Sequence, residues 1–171
     1  MMLTRRHALQ VGGASIALLA LHSRVFAASD VVDIVMAGRP DGSHVWFDPI
    51  GVHIQPGQTV RWTNNDPSNA HTSTAYHPSI LDRPRRIPNG ARPWDSGYLM
   101  PGESFEVKLT VTGVYDYYCQ PHEQAGMVGR IVVGHPPDRD YPATVRAGLA
   151  PLPAAALAYM PTISDILAST R

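Results

Sequence analysis

The ten residues YCQPHEQAGM, from Tyr118 to Met127, constrain this 171-residue chain more than any other stretch. They put Cys119, His122 and Met127 on one short loop between two strand-like runs, VYDYYC before it and VGRIVVG after it. Whatever fold the chain takes must therefore deliver a thiol, an imidazole and a thioether together. These are soft-to-borderline donors, and two histidines, one cysteine and a distant axial methionine are the ligand list of a blue electron-transfer copper site. The loop lacks one histidine. His71, in VRWTNNDPSNAHTST, is the best candidate, because it lies far upstream and follows a strand-like stretch able to bring it alongside.

The start of the chain sharpens the meaning of the thiol. TRRHALQ, an apolar stretch from Val11 to Leu21 and VFA before the next Ala read as an export signal over residues 1–27, cleaved after Ala27. Eleven apolar residues are too few to span a hydrocarbon core, which takes about 20 in a helix, so no stable membrane insertion is expected. The paired Arg5 and Arg6 point to the twin-arginine route; an ordinary secretion signal is the alternative, since Ala8 stands where a bulky apolar residue is usual. Either way the protein is periplasmic or otherwise exported. Cys119 is the only cysteine, so it cannot close an internal disulfide in an oxidising compartment. An inert buried cysteine is the plain alternative, but histidine three residues on and methionine eight residues on argue for metal. A catalytic Cys/His pair lacks an evident acid or amide to orient the histidine, and it would have no use for Met127.

Removing Arg5, Arg6 and Arg24 from the 14 basic groups leaves 11 against 14 acidic ones, a net charge of −3 that argues against nucleic acid as the main partner. From Asp30 to Val133 the chain is a series of short β-rich segments punctuated by Gly, Pro, Asn and Asp, the signature of an all-β sandwich or barrel. VVDIVMA, HVWFDPIGVHI, TVRWTNN, the segment around HTSTA, SGYLM, SFEVKLTV, VYDYYC and VGRIVVG each read as a strand or strand pair. VHIQPG and LMPGES read as turns. In VYDYYC the alternation places Val114, Asp116 and Tyr118 on one face and Tyr115, Tyr117 and Cys119 on the other.

Residues 76–94 interrupt the pattern with four prolines and four arginines and read as a long surface loop. Arg83, Arg85, Arg86 and Arg92 then form either a basic docking patch or a merely solvated face. After His135 a Pro/Ala-rich extension, residues 136–171, reads as an extended strap followed by one or two short helices. His44, His53, His77 and His135 lack paired spacing and read as surface or turn residues, and Trp46, Trp62 and Trp94 as packing residues.

Three segments, GQTVRWTNNDPSNAHT, DSGYLMPGESFEVKL and GVYDYYCQPHEQAGMVGRIVVG, resemble the cupredoxins, and within them the small blue copper proteins of the plastocyanin, pseudoazurin and halocyanin group. The resemblance covers most of residues 30 to 134 and leaves out the export signal, the proline-arginine loop and the tail. It implies a cupredoxin-like Greek-key β-sandwich over residues 28–135, with one type 1 copper held at one end by His71, Cys119, His122 and Met127. It also implies a thiolate bond from Cys119, two imidazoles completing a trigonal plane, and Met127 at longer distance. Many relatives carry Asn directly after the first histidine, where it ties the two ligand loops; Thr72 stands there in this chain, with a hydroxyl able to bond a neighbouring backbone group. The family's apolar patch around the second histidine matches Pro121, Ala125 and Gly126, so electrons are expected to pass at the His122 edge.

The expected function is an exported one-electron carrier between redox partner proteins, acting as a monomer and not as an enzyme. The alternative is periplasmic copper storage or delivery. Delivery favours open Met- or His-rich sites, whereas Met36, Met100 and Met160 form no cluster in sequence. Copper catalysis needs an open coordination position, which four protein ligands do not leave.

Overall fold

The computed structural model describes residues 30–135 and 152–169. The expected export signal, residues 1–27, and the expected strap, residues 136–151, lie outside the described residues. Eight strands form two four-stranded sheets packed face to face. The first holds β1 (Val31–Gly38), β2 (Val45–Asp48), β4 (Thr59–Asn64) and β6 (Ser104–Lys108) in the order β2-β1-β4-β6. The second holds β3 (Gly51–Ile54), β5 (Thr74–Ala75), β7 (Gly113–Tyr118) and β8 (Val128–Val133) in the order β3-β8-β7-β5. β1 runs parallel to β4 and β3 parallel to β8, while the other pairings are antiparallel. This is the expected all-β sandwich.

Side-chain alternation explains the packing of the first sheet. In β4, Val60, Trp62 and Asn64 are buried while Thr59, Arg61 and Thr63 are half-buried, and Arg61 pairs across the outer face with Asp33 at 2.6 Å and Glu106 at 3.5 Å. The inward set meets the second sheet around Trp62 and Tyr117, whose rings lie 5.3 Å apart, and Phe47 meets Tyr117 edge-on at 4.7 Å. Ile34, Met36, Ile54, Ile131 and Val133 complete this core. Tyr115, Tyr117 and Cys119 all belong to it, so the alternation read in VYDYYC holds.

The second sheet behaves differently, because every residue of β7 and β8 is buried on both faces. Two segments cover its outer face. The first is residues 76–94, which the sequence suggests is a surface loop. It is a loop, but one that packs down at both faces: Tyr76 is buried on the outer face, where it stacks on Tyr118 at 4.4 Å, while Ile87 and Trp94 enter the core between the sheets. Two of its arginines turn inward. Arg86 reaches Asp116 at 2.7 Å and Arg83 pairs with Glu123. A loop this polar packs down because Asp116 and Glu123 offer it buried carboxylates, a pairing that no local pattern announces.

The second cover is the tail. Its two helices, α1 (Ala154–Tyr159) and α2 (Ile163–Ser169), match the short helical pieces expected there. Leu152 and Ala156 join Tyr76, Tyr118 and Val128 in a second apolar cluster, and Arg130 donates to the carbonyl of Pro161 at 2.7 Å. Ile166 lies where a Cβ on Gly51 would stand. One further segment resolves as a strand pair, and another departs from expectation. HVWFDPIGVHI divides at the cis Asp48–Pro49 bond into β2 and β3, one in each sheet. SGYLM forms no strand; it makes only a bridge between Leu99 and His71.

Asp116 is fully buried with Arg86 and Arg130 as partners, Arg130 bonding it at 2.6 and 3.0 Å. Removing the carboxylate strands two largely buried guanidiniums, so Asp116→Ala is expected to lower the unfolding free energy by about 3–5 kcal/mol, measured by urea denaturation.

Candidate metal centre

The loop between β7 and β8 is a short 3₁₀ helix, Gln120–Ala125. Pro121 fixes the backbone at its start, and Gly126 ends it in the left-handed region at φ 84°. Its bonds close it tightly: His122 N donates to Cys119 O at 3.1 Å, Met127 N to His122 O at 3.1 Å, and Cys119 N to Met127 O at 3.0 Å. Cys119 and Met127 thus face each other across the base of the loop, both fully buried.

His71 comes from the opposite side. Its backbone exchanges two bonds with Leu99, at 3.1 and 2.8 Å, and Asn64 donates to the carbonyls of both Asn69 and Leu99 at 2.8 Å. The result brings three of the four candidate ligands together. Cys119 Sγ lies 3.6 Å from His71 Nδ1 and 3.5 Å from His122 Nδ1, and the two nitrogens are 3.1 Å apart. Among the described residues this is the one cluster of His, Cys, Asp and Glu side chains able to hold a metal ion. Met127 stands on the same turn, in the core beside Cys119.

Thr72 joins the two halves. Its amide donates to Cys119 Sγ at 3.3 Å, and its hydroxyl accepts from Gln120 N at 2.8 Å. A threonine therefore makes the cross-loop tie expected of asparagine at this position. The other histidines lie elsewhere: His44 stacks on Trp46 at 5.1 Å, His53 bonds the carbonyl of Gly134 at 2.8 Å beside His135, and His77 bonds the Ser79 hydroxyl at 2.7 Å.

Three neighbours escape sequence reasoning. Asp66 is fully buried with its Oδ2 3.0 Å from His71 Nε2. Its position five residues ahead of His71, in an Asp-Pro-Ser turn, is the signal that was available. Glu123, inside the loop, is buried against Arg83 and accepts a bond from the Tyr76 hydroxyl at 2.8 Å. Tyr159 of α1 lies over Gly126, where any side chain would collide with its ring.

Electrostatics follow burial. Burial pushes the Cys119 thiol up to about 11 even though Thr72 and His122 offset part of that rise. It pushes His122 down, and the neighbouring His71 adds to the effect, so this half-exposed imidazole gives up its proton more readily than an ordinary histidine. Burial would raise Asp66 too, but bonds from Asn69, Ser68 and His71 outweigh it and hold its carboxyl below the ordinary value.

The donor set fits copper: one sulfur and two imidazole nitrogens converge in a buried pocket, with a thioether at hand. Comparison with known proteins agrees. The profile of the copper binding proteins of the plastocyanin/azurin family matches residues 34–134. The chloroplastic plastocyanin of Chlamydomonas reinhardtii is 35% identical over 127 residues, covering 72% of this chain and 79% of that protein. That of Tetradesmus obliquus is 33% identical with the same coverage. Among solved structures, a pseudoazurin of Methylobacterium extorquens is 26% identical with a TM-score of 0.54, covering 82% of this chain and 99% of that one.

A thiol raised to about 11 and buried to 0% exposure carries little thiolate at pH 8. In the metal-free protein Cys119 is expected to react with a disulfide reagent at least about a hundredfold more slowly than an unperturbed thiol, with full reactivity restored by denaturant.

Proposed function

Because this chain belongs to the plastocyanin/azurin family of copper-binding proteins, we propose that it is a one-electron carrier whose copper is held by His71, Cys119, His122 and Met127. The observation that carries this reading is the buried convergence of His71 Nδ1, His122 Nδ1 and Cys119 Sγ, all within 4.8 Å of one another. Copper bound there supplies a Cu(I)/Cu(II) couple that takes up and gives back one electron.

The protein's part is to keep the donors still. A site that need not rearrange between oxidation states has a low barrier, and a packed interior resists rearrangement. Three constraints act here. The loop is closed on itself from Cys119 to Met127, Thr72 ties it to the His71 segment, and Glu123 anchors it from behind to Arg83 and Tyr76. The Thr72 amide also points at the sulfur, which stabilises its anionic form.

The electron route follows from which side is open. His122 is half-exposed, and Pro121, Gln124 and Ala125 around it are exposed and uncharged. Tyr118, next to Cys119 in the chain, offers no second exit because Tyr76 and the tail cover it. Electrons pass at the His122 edge to and from redox partner proteins that meet this uncharged face. Arg83 and Arg86 are engaged inside the molecule, so they do not build a docking patch.

In the same reading, residues 1–27 direct export, residues 28–135 form the copper domain, and residues 136–171 are an extension whose helices pack on it. The carrier works outside the cytoplasm as a monomer and is neither an enzyme nor a nucleic-acid-binding protein. No helix among the described residues is long and apolar enough to cross a membrane.

Protein from residue 28 loaded with Cu(II) is expected to show an intense visible thiolate-to-copper band and narrow copper hyperfine splitting, both lost reversibly on one-electron reduction. Cys119→Ser removes the band, and Met127→Leu keeps it while shifting the potential. A pale spectrum with ordinary tetragonal copper sinks the assignment. Placing a charge at the exit edge, as in Ala125→Asp, is expected to slow electron self-exchange by about tenfold at low salt, with recovery at high salt, because two copies then meet through like charges.

A further inference from the structure

Asp66 is a carboxylate with no exposure to solvent. Its surroundings are built to keep it so. Its Oδ1 accepts from Ser68 N at 2.9 Å, its Oδ2 accepts from Asn69 Nδ2 at 2.8 Å, and its own amide donates to Asn64 Oδ1 at 2.9 Å. The backbone of Gly38 closes over it, so that a Cβ at residue 38 would collide with the carboxylate. One further bond remains, from Oδ2 to His71 Nε2 at 3.0 Å. Among the described residues, Asp66 is the charged side chain bonded to that ring nitrogen.

We propose that Asp66 is the positioning residue that fixes His71 as a copper ligand and that its buried negative charge sets the reduction potential lower than a neutral partner would. This deepens the copper-carrier reading and rests on it. The two ring nitrogens of His71 have different partners. A carboxylate can only accept, so the bond to Asp66 requires the proton on His71 Nε2 and leaves the Nδ1 lone pair directed at Cys119 Sγ, 3.6 Å away. The ring is held by a partner that is itself fixed by two other donors, so neither its tautomer nor its orientation is free to drift. The outer hydrogen-bond partner of a metal-binding histidine governs ligand orientation and basicity in this way.

Charge supplies the second half. An anion on the far side of the imidazole stabilises the higher-charged copper state more than the lower, and in a buried position that preference is weakly screened. The two histidines are then unequal. His71 is fully buried and clamped by an anion, whereas His122 is half-exposed with its outer edge toward the partner-facing surface. One ring sets the energy of the site and the other conducts.

The test uses Asp66→Asn, which preserves the shape and a weaker acceptor, with Asp66→Ala beside it. Asp66→Asn is expected to keep the blue band while the ratio of Cu(II) to Cu(I) affinity falls about tenfold, a rise of about 59 mV for one electron. Asp66→Ala is expected to lose roughly 10–100-fold in copper affinity. A blue Asp66→Asn protein with an unchanged potential overturns the proposal. Should the variants not fold, the wild-type metal-free protein labelled with ¹⁵N-histidine decides: a proton on His71 Nε2 supports the clamp, and an unprotonated Nε2 overturns it. That measurement needs no copper, so failure of the wild-type protein to form a blue site would refute the carrier reading separately.

Discussion

Everything at the functional end of this molecule hangs on one backbone bond, from Cys119 N–H to Met127 C=O at 3.0 Å. It continues the pairing of β7 with β8, whose register runs from Gly113 opposite Val133 to Tyr118 opposite Val128. Because the ladder extends to the first and last residues of the donor loop, the sulfur atoms at the two ends inherit the rigidity of the sheet. The six-residue helix between them needs only Pro121 and Gly126 to complete the turn. The fourth residue of the set, His71, belongs to no regular strand. Its position rests on single bridges and on the side chains of Asn64 and Asp66, so local polar bonds do there what a ladder does at the other end.

The second sheet pays for this arrangement with polarity in a place usually apolar or wet. Its outer face carries Asp116 and Arg130, and the loop beyond it carries Glu123, each satisfied by a group from a cover segment. Buried ion pairs of this kind contribute little net stability but penalise misplacement severely. The loop at 76–94 docks with Arg83 on Glu123 and Arg86 on Asp116, and a shifted register would strand those charges. The ring of Tyr118, over which Arg83 lies at 5.0 Å, adds to the same specification. Positional accuracy at the donor loop is therefore reinforced from the face opposite the core.

Legibility in the sequence tracked locality. Donor spacing within ten residues, two-residue alternation in VYDYYC and the turn chemistry of VHIQPG are short-range facts, and they gave the sandwich, the loop and the pairing of Cys119 with His122. Thr72 could be weighed because its neighbour His71 was already in view. Asp66 and Glu123 could not, since their roles depend on what lies across the fold: a ring nitrogen in one case, an arginine forty residues back in the other. The inward turn of Arg83 and Arg86 in the 76–94 loop was out of reach for the same reason. Pro and Arg signal exposure on average, and only the buried carboxylates of another segment reverse that preference. That HVWFDPIGVHI is a strand pair is marked locally by Asp48-Pro49, whereas the placing of its halves in different sheets is not.

The contact between Gly38 and Asp66 has an evolutionary corollary. The space above the carboxylate exists only while residue 38 lacks a side chain, and a larger residue there becomes tolerable only once residue 66 has become smaller or moved. The two positions are 28 apart in sequence and can change safely only in a set order, with 66 first. Lineages that keep an acid at 66 are thereby locked into glycine at 38, and co-variation of this pair across homologous sequences would record which lineages retained the anion behind the histidine.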